Sequence, residues 1–135
     1  MRSTSQALSP IVAVVVAVSA LLALPSMAAA DGLTGSWRGN GSMVLPSGAT
    51  EKARCRVSFS KQGGRSYAMN AVCASSSARV SQTASLKQVG ANRYVGEFLN
   101  NEYGISGSIN LTLSGSSASA ALYGGGGSAF FNLSR

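Results

Sequence analysis

Histidine is absent from this chain of 135 residues, and acids are scarce: Asp and Glu number 4 against 11 Lys and Arg. Without histidine, the usual base that activates a Ser, Thr or Cys nucleophile is missing. Nothing near Lys52, Lys61 or Lys87 resembles the Ser-x-x-Lys alternative. The acids are Asp31, Glu51, Glu97 and Glu102. Only Glu97 and Glu102 are close, and they bracket Asn100-Asn101, which reads as a hairpin loop and not as a glycosidase carboxylate pair. Two cysteines with no histidine make half a zinc site, and their spacing is not Cys-x-x-Cys. The glycine run Gly124 to Gly127 lacks the Lys-Ser/Thr of a phosphate loop. The expectation is therefore a non-enzyme, with no catalytic residue, no metal and no cofactor.

One long apolar run is present, at the N-terminus. Arg2 precedes Ile11 to Leu24, which reads IVAVVVAVSALLAL; Pro25-Ser26 then breaks it, and Ala28-Ala29-Ala30 offers small residues for cleavage. That is the layout of a secretory signal. The run is shorter than the ~20 residues of a membrane-spanning helix. Residues 1–30 are thus expected to be removed, leaving residues 31–135 as one periplasmic or secreted domain with no transmembrane segment. A domain of about a hundred residues buries roughly two-thirds of its unfolded surface, enough for a modest core.

From Thr34 onward the apolar residues alternate at period two, and turn residues interrupt them. Cys55, Val57 and Phe59 share one parity, as do Tyr67, Met69, Ala71 and Cys73; Ile109, Leu111 and Leu113 make the clearest run. Short strands at regular spacing predict an all-β fold, an antiparallel up-and-down barrel or a sandwich of about eight strands. Asn40-Gly41 reads as a turn that could split the first strand. A hairpin with a three-residue loop at Gly63-Gly64-Arg65 sets Phe59 opposite Met69, Val57 opposite Ala71 and Cys55 opposite Cys73. One register then satisfies both packing and sulfur, so a Cys55–Cys73 disulfide is expected.

Leu33-Thr34-Gly35-Ser36-Trp37 places Gly-x-Trp on the first strand of this meander. The motif resembles the opening of calycin-type barrels, where the Trp plugs one end. The layout with one disulfide is also similar to the periplasmic inhibitors of serralysin-type metalloproteases. That resemblance implies an eight-stranded barrel and, for the second group, protease inhibition. Such inhibitors insert a tail ahead of the barrel into the protease, and the stretch from Asp31 to Ser36 departs from that pattern by its shortness.

Two places remain for function. Outward parity puts Arg38, Arg54, Arg56 and Arg79 on one face, with Arg38 opposite Arg56 and Arg54 opposite Ala74, itself beside Arg79. Like charges directly opposite are destabilising, and guanidinium suits phosphate or carboxylate. An anionic envelope component is the matching partner; a solvated face is the alternative. Nucleic acid is not expected, because no aromatic platform is interleaved with the charges. The second place is the interior. Large Trp37, Phe59, Tyr67 and Phe131 alternate with small Ala53, Ala71 and Ala84, which favours a filled barrel over a pocket lined by Tyr and Trp. The functional expectation is an exported binding or structural module for an anionic component or small ligand. The alternative is a protein–protein module such as a protease inhibitor.

Overall fold

Alternation of apolar and polar side chains suits a strand with one wet face, and eight such strands close on each other here. The computed structural model describes residues 13–17 and 32–135; the signal segment expected over 1–30 lies, apart from 13–17, outside the described residues. The strands are β1 (Gly35–Val44), β2 (Thr50–Gly63), β3 (Ser66–Ser75), β4 (Arg79–Gly90), β5 (Arg93–Asn100), β6 (Ile105–Ser114), β7 (Ser117–Gly124) and β8 (Gly127–Ser134). Each pairs antiparallel with the next, and β1 pairs with β8, so the sheet is a closed up-and-down barrel, not a sandwich. Closure removes both sheet edges.

The β2–β3 register is the expected one: Cys55 faces Cys73, Val57 faces Ala71 and Phe59 faces Met69. The disulfide is present, with Cα atoms 4.1 Å apart. By the loop-closure account such a bond contributes about 3 kcal/mol. The hairpin itself differs from expectation. Strand pairing runs on to Gly63 and Ser66, with a bulge between Lys61 and Gly63, so the turn proper is Gly64-Arg65. Gly63 and Gly64 have φ of 133° and 55°, conformations a side chain would strain.

Asn40-Gly41 is not a turn. β1 runs unbroken through it, with Gly41 between Ala53 of β2 and Phe131 of β8. A Cβ at Gly41 would fall 2.0 Å from the Phe130 carbonyl oxygen. The glycine is a corner, where the neighbouring backbone curls inward to let the barrel close.

Inward positions carry most of the apolar side chains and outward positions mostly Ser, Asn, Thr, Lys and Arg, with Val72, Val89, Leu99, Tyr123 and Phe130 also exposed. This is the reverse of a lipid-facing barrel, whose apolar band points out. Among the described residues no helix is long and apolar enough to cross a membrane.

Candidate functional site: a barrel closed at one end and open at the other

The two ends of the barrel differ. At the end that carries the β2–β3, β4–β5 and β6–β7 turns, Trp37 is the plug. Its indole Nε1–H donates to the Leu33 carbonyl at 2.8 Å, and its ring meets Phe59 edge-on at 6.4 Å. The Arg135 guanidinium lies over the indole at 4.7 Å and donates to the Thr34 carbonyl at 2.7 Å. Tyr67 and Tyr94 stack edge to face at 5.3 Å in the same layer. Leu33 is fully buried there. The segment just ahead of Trp37 is therefore part of this closed end.

The opposite end, with the β1–β2, β3–β4, β5–β6 and β7–β8 turns, holds an open cavity of about 300 Å³. That volume sits at the lower bound for small-molecule sites. Met43, Val80, Phe98, Ile105, Leu122 and Ala129 supply most of its apolar wall. Beneath it lies a void of about 20 Å³, which shares Cys73, Gln82 and Leu122 with the cavity and is bounded below by Cys55, Val57 and Ala71. Gln82 thus places an amide at the floor.

Strand parity explains why polar groups reach this mouth. Glu51, two residues from inward Ala53, turns into the barrel end, as Ser75 does two residues beyond Cys73. The Glu51 carboxylate accepts the Ser77 hydroxyl at 2.6 Å on Oε1 and the Ser75 hydroxyl at 3.3 Å on Oε2. Those bonds hold the carboxylate in one place. Among the described residues no Lys or Arg lines the cavity, and Glu51 is the one formal charge there. On the facing side, the Asn100 side-chain oxygen accepts the backbone N–H groups of Glu102 and Tyr103 at 3.1 and 3.2 Å. This shapes the β5–β6 loop and sets Tyr103 at the rim.

The sequence-predicted interior residues Trp37, Phe59, Tyr67 and Phe131 are all buried, but none of them lines the open cavity. Trp37, Phe59 and Tyr67 fill the closed end, and Phe131 borders the small void. The expected filled interior therefore holds for the closed half only. In the open half the inward positions of β7 and β8 shrink to Gly124, Gly127 and Ala129, and space is left on that side. Glu51, Gln82 and Asn100 escape sequence reasoning because each sits near a turn; their shared inward parity is the signal that finds them.

On the outer wall the four arginines come together as expected. Arg38 faces Arg56, and Arg54 is flanked by Asn40 and Ala74, with Arg79 beyond Ala74. All four are exposed and line one shallow groove. Among the described residues no group of three His, Cys, Asp or Glu side chains is placed to hold a metal.

No family model matches this sequence, and no curated protein matches it. Solved structures match it in shape. One is a redesigned β-barrel, mFAP1, bound to DFHBI, with a TM-score of 0.65 and 13% identity over 76% of this chain and 94% of that one. A second, mFAP0 bound to DFHBI, has a TM-score of 0.66 and 13% identity over 76% and 98%. A third, a fluorescence-activating β-barrel designed de novo, has a TM-score of 0.58 and 16% identity over 77% and 93%. At such identities the likeness is one of fold: this chain is a small, closed, eight-stranded antiparallel β-barrel.

Proposed function

We propose that this chain is an exported, non-catalytic binding barrel, periplasmic or secreted, whose open end takes a small and largely apolar ligand. The observation that carries the reading is the asymmetry of the ends: one plugged by Trp37, the other hollow. Export rests on the N-terminal signal pattern and on a disulfide suited to an oxidising compartment. The resemblance to calycin barrels draws support from Trp37 closing its end. Protease inhibition draws none from Leu33, which packs into the barrel and does not project from it. The designed barrels bound to DFHBI support the capacity of this fold to hold a small molecule.

The lining also favours one class of ligand. An apolar wall with one fixed carboxylate favours an apolar body that ends in an ammonium or another strong donor. Calorimetric titration with a phenylalkylammonium and its uncharged alcohol analogue tests this. Glu51→Gln is expected to weaken the ammonium about tenfold and the alcohol little, since a hydrogen bond to a charged group outweighs a neutral one. Equal losses for both, or none for either, would remove Glu51 from the site.

A further inference from the structure

We infer that the four-arginine groove on the outer wall docks the barrel on an anionic lipid surface through its headgroup phosphates. This surface is separate from the cavity. Its members come from three strands: Arg38 on β1, Arg54 and Arg56 on β2, and Arg79 on β4. Arg38 and Arg56 are directly opposite in the ladder, an arrangement that is destabilising unless an anion lies between them. Among the described residues no acid relieves it. Glu51 is turned into the mouth on Ser75 and Ser77, and neither Glu97 nor Glu102 lines the groove. The ground between the arginines is small or short: Gly39, Val72, Ala74, Asn132 and Ser134. The guanidiniums therefore stand exposed above small neighbours on that wall.

The form of the patch selects the occupant. Guanidinium pairs with phosphate through two parallel hydrogen bonds. The groove contains no aromatic residue, so it offers bases nothing to stack on. The four charges sit in two adjacent ladder rows, Arg38 beside Arg56 and Arg54 across Ala74 from Arg79, a short cluster that suits a few independent headgroups. A lipid surface supplies such headgroups at high density, and each basic residue near it contributes to binding.

Co-sedimentation with phosphatidylglycerol and phosphatidylcholine vesicles tests the inference on the mature chain. The parent is expected to bind phosphatidylglycerol vesicles at low salt, to bind phosphatidylcholine vesicles hardly at all, and to detach as salt rises, because exposed charges are screened over roughly 10 Å at 0.1 M. Arg54→Gln with Arg56→Gln is expected to weaken binding about thirtyfold. Lys87→Gln with Arg93→Gln removes the same charge outside the groove and is expected to leave most of the binding intact. Equal loss in the two double variants would reduce the effect to net charge and overturn the inference. So would absence of parent binding at low salt, or displacement by an oligonucleotide or inorganic phosphate at concentrations that leave a lipid-bound control protein in place. A variant with a blocked cavity is expected to sediment like the parent, which keeps this test apart from the ligand-binding one.

Discussion

Gly96→Ala is expected to cost the barrel about 4 kcal/mol, a large part of the stability of a domain this small. Gly96 sits inward on β5, opposite Leu86 of β4 and Ile109 of β6. A Cβ there would lie 1.8 Å from the Ser85 carbonyl oxygen, 2.8 Å from the Ser85 carbonyl carbon and 3.0 Å from the Leu86 Cα. All three atoms are backbone, so no side chain can swing aside, and relief requires β4 and β5 to separate. Separation breaks the ladder that closes the barrel. Gly90→Ala is the control, because its Cβ would meet nothing nearer than the Arg93 Cβ at 3.8 Å. Urea denaturation of both variants checks the prediction. A Gly96→Ala unfolding free energy within about 1 kcal/mol of the parent would show that the β4 backbone does not approach Gly96 this closely.

Ala129→Trp is expected to abolish ligand binding at the open end, with a loss of a hundredfold or more, while the fold stays intact. Ala129 points inward on β8 two residues before Phe131, and it lines the cavity wall while remaining partly exposed. An indole at this position occupies much of the 300 Å³ without forcing the packed half, which lies below Gln82. The apolar area it buries offsets lost rotamer freedom, so stability is expected to stay within about 1 kcal/mol of the parent. Titration with the uncharged phenyl alcohol is the appropriate measurement, since it reads volume and not Glu51. Undiminished affinity would place the ligand elsewhere.

Much of this architecture is legible from the residues. The parity of Cys55, Val57 and Phe59 against Met69, Ala71 and Cys73 defines a hairpin register, because a slip by one residue would turn every apolar side chain outward. The arginine face follows from that same register. Closure does not follow, since a sandwich and a barrel ask for the same alternation. Gly41 shows a second limit: glycine serves a tight turn and a barrel corner alike, and only the approach of the Phe130 carbonyl separates the two. The cavity is hidden for a third reason. It arises where the small inward residues Gly124, Gly127 and Ala129 of β7 and β8 face the ends of the other six strands, and no single segment displays that juxtaposition. Glu51 carries the right parity, yet its place beside the Pro46-Ser47-Gly48 turn reads as solvent.

The open end as the binding site is tested most directly by methyl and indole chemical-shift mapping of residues 31–135 titrated with the uncharged phenyl alcohol. The account predicts shifts at Met43, Val80, Ile105 and Leu122, which line the cavity. It predicts none at the Trp37 indole N–H, which is committed to the Leu33 carbonyl at the far end. Shifts confined to Trp37 and its neighbours, with the open-end methyls unmoved at saturation, would contradict it.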